Sequence, residues 1–115
     1  MQEKRIDFEP IYECFKAGLS HCGVFLLELS DEDIEWHLFE EFDTDCVSFL
    51  HESTLNQLLK AGKITPYVAD MSLMLSRRFR ALENTSAWDV SAVRSSPVWL
   101  ELFLLSDKIK KYLSS

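Results

Sequence analysis

The sequence has few of the residues that interrupt regular structure, with only three glycines and three prolines in 115 residues. Charged residues make up 27% and hydrophobic residues 47%, a balance that excludes a disordered chain and a fibrous repeat. No apolar run approaches the ~18 residues that a membrane-spanning helix needs, and the first residues lead into no apolar signal-peptide core. We therefore expect one globular domain over residues 1–115, located in the cytoplasm and without contact to a membrane.

Cysteine is also scarce, and its three positions, Cys14, Cys22 and Cys46, show no C-x-x-C spacing. An odd number without paired spacing argues against the disulfide framework of a small secreted protein and favours buried free thiols. A zinc site would draw on these cysteines together with His21 and His37, whose spacings match no finger, ribbon or H-E-x-x-H pattern. We therefore expect neither a bound metal nor another cofactor.

Sequence motifs of common enzymes are absent as well. The chain contains no G-x-S-x-G, no Walker loop and no G-x-G-x-x-G, and its glycines are too scattered to form a phosphate cradle. We therefore expect a protein without catalytic residues. The residue inventory leaves one enzymatic alternative open, a small thiol- or metal-dependent enzyme that uses Cys14, Cys22 or Cys46.

Lysine and arginine are missing altogether from one long part of the chain, residues 17–59. This part contains ten acidic residues and carries a charge of −10, against −7 for the whole chain, so the remaining residues together carry +3. The ten acids are Glu28, Asp31, Glu32, Asp33, Glu35, Glu40, Glu41, Asp43, Asp45 and Glu52. A local negative field of this kind repels nucleic acid and attracts basic proteins, so we expect a basic protein partner and no direct nucleic-acid contact.

The clearest helix in the sequence begins at Thr65 and ends near Glu83. Thr65 is a good N-cap, and Pro66 follows at the position where a missing N–H does no harm. Apolar residues then recur every three or four positions, at Val68, Met71, Leu75, Phe79 and Leu82, with Tyr67 and Met74 widening the stripe. This pattern predicts a helix with one buried side.

Similar patterns predict the remaining helices. They cover about 8–17 with Asp7 as cap, Ser30 to Phe42, Ser53 or Thr54 to Gly62, a short helix around Trp88 capped by Thr85 or Ser86, and Ser96 to Leu113. Gly18 and Gly23 bracket a turn, and the apolar run 24–29 is too short to distinguish helix from strand. We prefer helix there, because the sequence offers no second strand to pair with it. The predicted fold is an all-α, single-domain irregular bundle of five to six helices.

The acidic helix that starts at Ser30 is the candidate binding element. Trp36 is either a core anchor or an interface anchor, and the usual burial of tryptophan favours the core. Asp43-Thr44-Asp45 is expected to form a turn after the helix. The candidate partner-binding residues are Asp31, Glu32, Asp33, Glu35, Trp36, Glu40, Glu41, Asp43 and Asp45. An equally simple interpretation is that these acids only solvate a helix face.

The chain resembles the small, acidic, helical immunity proteins of bacterial toxin–immunity systems, including those of contact-dependent growth inhibition and the colicin D type. The resemblance lies in size, acidity and helical character, and in pattern it covers the C-terminal half. The residues that carry it are L-N-Q-L-L-K-A-G-K-I at Leu55 to Ile64, Arg77-Arg78-Phe79, Trp88, Trp99 and S-D-K-I at Ser106 to Ile109.

This resemblance implies a non-catalytic cytoplasmic inhibitor. Such a protein covers the basic active-site cleft of a cognate toxin, commonly a nuclease, by mimicking the charge of nucleic acid. Arg77, Arg78 and Arg80 depart from a uniformly acidic surface, and the sequence leaves open whether this cluster is structural or functional. The alternative function is a regulatory or adaptor module that binds another basic protein. The sequence indicates no oligomeric state.

Overall fold

The computed structural model describes residues 8–114, which form six α-helices, one 3₁₀-helix and no β-strand. In chain order these are α1 (Glu9–Leu19), the 3₁₀-helix (Val24–Glu28), α2 (31–48), α3 (Glu52–Lys60), α4 (Pro66–Leu82), α5 (Val90–Ser95) and α6 (Pro97–Leu113). Within α2, the segments Asp31–Glu35 and Asp43–Ser48 are α-helical, and Trp36–Phe42 between them is π-helical. The all-α single-domain bundle predicted from the sequence is therefore confirmed. None of the helices in this part of the chain is both long enough and apolar enough to cross a bilayer.

The core lies where α4 packs on α6, with α1, α2 and α3 closing around them. Its centre is a cluster of aromatic rings, which we call the buried aromatic cluster: Phe42, Phe79, Trp88, Trp99 and Phe103. Trp99 has no exposed surface, and its Nε1 donates a hydrogen bond of 2.7 Å to the carbonyl oxygen of Ala87. The indole is thus buried with its one polar atom satisfied, the arrangement that makes a buried tryptophan stabilising.

Three of the predicted helix starts are confirmed by the hydrogen bonds of their caps. Ser30, Thr65 and Ser96 each accept a bond from a backbone N–H of the first turn, at 3.2, 3.2 and 3.3 Å. Gly62 has φ of +74°, the left-handed conformation predicted for the residue that ends α3. These local signals place the long helices correctly because they act through adjacent residues.

Two predicted caps are wrong. The side chain of Asp89, and not Thr85 or Ser86, caps α5 by accepting a hydrogen bond of 2.9 Å from the N–H of Ala92. His51 caps α3 through its Nδ1, two or three residues before the predicted start at Ser53 or Thr54. In both cases the capping residue has the extended backbone that an N-cap needs. The predicted cap of α1, Asp7, lies outside the described residues.

The second helix is longer than predicted, because residues 43–45 continue it and do not form a turn. The Oγ1 of Thr44 donates to the carbonyl oxygen of Glu40 at 2.8 Å, and Arg80 of α4 binds Asp43. These contacts stabilise helical backbone at residues whose side chains otherwise favour turns.

The 3₁₀-helix is attached to α6, which agrees with the helix preferred for 24–29. Asp107 Oδ2 accepts a bond of 3.1 Å from the N–H of Val24. Ser106 Oγ and Lys110 Nζ donate to the carbonyl oxygen of Cys22 at 2.8 and 2.6 Å. Polar groups of α6 thereby satisfy one N–H that the 3₁₀-helix leaves free at its start and one carbonyl of the turn before it.

Gly18 and Gly23 do not bracket one turn as predicted. Gly18 lies inside α1 and is buried, whereas Gly23 lies in the turn, where a Cβ would collide with the carboxylate of Asp107. Both positions bring backbone close to another element, which is a second reason for glycine besides its conformational freedom.

The buried side of α4 differs in part from the predicted stripe. Tyr67 and Met74 are 46% and 44% exposed, whereas Ser72 and Ser76 are buried. The two serines lie on the buried side of α4, and hydrophobicity alone does not reveal this.

Candidate functional site

Six of the nine predicted contact residues project into solvent from residues 31–40 of α2. Asp31, Glu32, Asp33, Glu35 and Glu40 are exposed, and Trp36 is 46% exposed. The prediction that Trp36 belongs to the core is wrong, because Ile34 and Leu38 carry the buried side and a residue midway between them faces outward.

Asp31 and Asp43, by contrast, have arginine partners within the domain. Asp31 pairs with Arg94 at 2.8 Å, and Arg94 also donates to the carbonyl oxygen of Leu29 at 2.6 Å. Asp43 pairs with Arg80 at 2.6 Å, and Arg80 also binds the backbone carbonyl of Asp43 at 3.0 Å. These two acids therefore attach α2 to α5 and α4.

Two arginines of the cluster in α4 differ in their exposure and in their contacts. Arg80 is half-buried and structural, as its contacts with Asp43 and Glu83 show. Arg77 lies 3.5 Å from Glu52 in a pair whose side chains are both more than 60% exposed. A pair so exposed contributes little to stability.

Four rings from two parts of the chain meet beside the exposed acids, and we call them the surface aromatic–histidine cluster: His21, Phe25, Trp36 and His37. His21 and His37 lie 5.4 and 4.8 Å from the indole of Trp36, and Phe25 lies 5.5 Å from His37, all in edge-to-face arrangement. Phe25 is 39% exposed and Trp36 46% exposed, so the cluster presents apolar surface to solvent. Sequence reasoning missed Phe25, because its position depends on the attachment of the 3₁₀-helix to α6.

The two histidines of this cluster share a hydrogen bond, with their Nδ1 atoms 2.9 Å apart. One Nδ1 must donate and the other accept, so the accepting ring is neutral. Burial, and secondarily the neighbouring His21, lowers the pKa of His37 below its usual value. This pair fixes the orientation of both rings next to Trp36.

Glu41 and Asp45 lie beside His21 on the half-buried side of α2. One ligand atom from each of His21, Glu41 and Asp45 lies within 4.8 Å of the others. Burial raises the pKa of Asp45, the charge of His21 opposes this shift, and the charge of Glu41 adds to it. An imidazole and two carboxylates at this separation can hold a divalent cation.

The π-helical segment explains why these groups share one side of α2. The buried residues Ile34, Leu38, Phe42 and Cys46 recur every four positions, and so do His37, Glu41 and Asp45. In an α-helix each step of four residues advances about 40° beyond a full turn, so a four-residue repeat drifts around the helix. The wider π turn reduces that drift. The unbroken four-residue spacing was the sequence signal for this arrangement.

The three cysteines lie in different surroundings. Cys22 and Cys46 are buried, as predicted, whereas Cys14 is exposed, contrary to the prediction. Burial raises the pKa of Cys22 to about 12 and raises that of Cys46 as well. Since the thiolate is the nucleophile, neither buried cysteine is activated for catalysis.

Comparison of the chain with protein-family models, with curated proteins and with solved structures found no match. The resemblance to immunity proteins remains an expectation from the sequence.

Proposed function

We propose that this chain is a non-catalytic binding protein that covers a basic site of a partner protein with the first half of α2. Exposed Trp36 is the observation that carries the proposal. Glu32, Asp33 and Glu40 lie three or four positions from it along the helix, where side chains are neighbours. The result is an apolar centre within an acidic rim.

This arrangement has the anatomy of a protein interface. Tryptophan is among the side chains most often found to dominate binding energy, and a surrounding polar rim excludes water from it. Phe25, joined to Trp36 through the ring of His37, extends the apolar centre. The exposed carboxylates accelerate encounter with a positively charged partner by ~10 to 1,000-fold, an effect that salt weakens.

The resemblance to immunity proteins gives the specific form of this function. In that form the partner is a toxin domain, commonly a nuclease, whose basic active-site cleft normally receives phosphate groups. The carboxylates of α2 take the place of those phosphates, and Trp36 inserts beside them. Phosphate-binding sites are rich in lysine and arginine, so they are suited to the acidic side of α2, a helix that has no lysine or arginine of its own.

The test is binding to the product of the gene next to the one that encodes this chain, measured by co-expression pulldown and then by titration calorimetry. Glu35→Lys with Glu40→Lys should weaken binding at least about 10-fold at low salt, and the loss should shrink as salt rises. Asp70→Lys with Glu101→Lys is the matched control, because it makes the same charge change at exposed residues of α4 and α6.

Trp36→Ala should weaken the same complex by about 2 kcal/mol or more, the usual size for a central anchor. Equal losses from the α2 pair and the control pair would show that only net charge matters and would overturn the proposal. So would a complex whose affinity is unchanged by Trp36→Ala.

A further inference from the structure

We propose that His21, Glu41 and Asp45 form a binding site for a divalent transition-metal cation. Their ligand atoms lie within 4.8 Å of one another, and no other group of three such side chains was found in residues 8–114. The three groups come from two elements, because His21 follows α1 and both carboxylates belong to α2. A bound ion would join these elements beside the surface aromatic–histidine cluster.

The separation of the three groups fits an ion after small side-chain rotations. Metal–ligand bonds of about 2.0–2.2 Å place neighbouring ligands of a tetrahedral ion about 3.4 Å apart. Within residues 8–114, no carboxylate oxygen of Glu41 or Asp45 comes within 4.0 Å of a His21 nitrogen. The three groups therefore converge without an ion pair between His21 and either carboxylate.

The charges at this place are not balanced by basic side chains. Asp31 and Asp43 of the same helix have Arg94 and Arg80 as partners. Neither Glu41 nor Asp45 has a lysine or arginine within ion-pair distance in the described part of the chain. Two half-buried carboxylates next to an imidazole repel each other, and a divalent cation would remove that repulsion.

Gly18 is a separate indication that α1 leaves space for the side chain of Asp45. A Cβ at Gly18 would lie 3.0 Å from the Cβ of Asp45 and 3.5 Å from its Oδ2. A glycine inside a helix is destabilising by roughly 0.5–1 kcal/mol relative to alanine. The absence of a side chain at Gly18 of α1 allows the carboxylate of Asp45 to approach the helix that precedes His21.

His37 orients the ligand and is a positioning residue. Metal-binding histidines almost always hydrogen-bond through their other ring nitrogen, which fixes the ring and its tautomer. The bond of 2.9 Å between the Nδ1 atoms of His21 and His37 supplies such a contact. When neutral His21 donates in this bond through Nδ1, its Nε2 carries no proton and can bind a metal.

The donor set defines the class of ion. One nitrogen and two carboxylate oxygens suit Zn²⁺, Co²⁺ or Mn²⁺, whereas Mg²⁺ and Ca²⁺ prefer oxygen ligands alone. Three protein ligands leave at least one coordination position for water or for a group of a partner protein.

The test is calorimetric titration of metal-free full-length protein with Zn²⁺, with Mg²⁺ and Ca²⁺ as comparison ions. We expect one Zn²⁺ per chain and at least about 10-fold weaker binding of Mg²⁺ and Ca²⁺. Asp45→Asn and Glu41→Gln should each weaken Zn²⁺ binding by at least about 10-fold, since changes even outside the ligand shell have effects of 10–100-fold. Glu28→Gln, an exposed acid elsewhere in the acidic part of the chain, is the matched control and should leave affinity unchanged.

Cobalt titration identifies the ligands. The Co²⁺ absorption spectrum should lack a thiolate charge-transfer band, and Cys14→Ser should leave it unchanged. The proposal is overturned if Zn²⁺, Co²⁺ and Mn²⁺ all fail to bind at millimolar concentration. It is also overturned if both ligand variants bind as wild type while circular dichroism shows them folded, or if binding depends on Cys14. If Asp45→Asn does not fold, the Zn²⁺ affinity of Glu41→Gln alone tests the proposal. No outcome of the metal titrations bears on the partner-binding proposal, because that proposal is tested separately by binding to the partner protein.

Discussion

Two aromatic clusters of this protein have similar ring geometry and opposite surroundings. In the buried aromatic cluster, Trp99 has no exposed surface and its indole N–H bonds to Ala87. In the surface aromatic–histidine cluster, Trp36 is 46% exposed and its ring neighbours are two histidines. Edge-to-face contacts at about 5 to 6 Å occur in both. The difference shows that ring contacts alone do not identify a core, and that burial with a satisfied polar atom does.

The comparison is tested most strongly by removing the buried indole. Trp99→Ala should lower the free energy of unfolding by about 3–5 kcal/mol, because it leaves a large cavity in the core and frees the carbonyl of Ala87. Urea denaturation followed by circular dichroism measures this effect. A loss below about 1 kcal/mol would mean that this cluster is not the centre of the core.

The contact between α1 and α2 gives the next largest effect. Gly18→Ala would normally stabilise a helix, but here the new Cβ would press on Asp45, whose Cβ cannot move without its helix. We expect a loss of about 1–3 kcal/mol, the usual effect of overpacking. Thermal unfolding measures it, and a gain in stability would show that α1 and α2 can separate freely.

Two of the three arginines of α4, Arg80 and Arg77, should differ in their effect on stability as Trp99 and Trp36 do. Arg80→Ala removes bonds to the side chain and backbone of Asp43 in a half-buried place and should lower stability by about 1–2 kcal/mol. Arg77→Ala breaks only an exposed pair and should change stability by about 0–0.5 kcal/mol. Urea denaturation of both variants side by side makes the comparison, and equal losses would contradict it.

The smallest expected effect on stability belongs to the exposed indole. Trp36→Ala should lower the free energy of unfolding by at most about 1 kcal/mol, because the ring loses its contacts with His21 and His37 but leaves no cavity. A loss close to that of Trp99→Ala would place Trp36 in the core and remove it as a binding anchor.

The sequence predicted the long helices well because their signals are local. A cap and a proline at the start of α4 and α6, and a left-handed glycine after α3, act within one turn of the residues that they affect. The same rules failed where a residue from elsewhere intervenes, as Arg80 does at Asp43. The sequence also offered several possible caps for α5. Thr85, Ser86 and Asp89 are all of residue types that favour the N-cap position, so residue type alone did not identify Asp89.

The candidate surface was predictable in composition and not in arrangement. The acidic part of the chain was evident from the missing lysines and arginines, and the exposed residues Glu32, Asp33, Glu35 and Glu40 belong to it. That Asp31 and Asp43 face arginines, and that His21 meets His37 and Asp45, depends on packing between residues far apart in the chain. Such contacts leave no trace in local spacing.

The π-helical stretch Trp36–Phe42 holds the two α-helical halves of α2 in phase with each other. A π turn takes up one extra residue, so deleting one residue within the stretch would restore regular α-helical winding with little rotation of one half against the other. Deleting one residue from the α-helical part Asp31–Glu35 has no such compensation and would rotate the residues before the deletion by about 100° relative to the rest of the helix. Asp31 would then turn away from Arg94. We therefore expect homologous chains to differ in length within the π-helical stretch and not on either side of it.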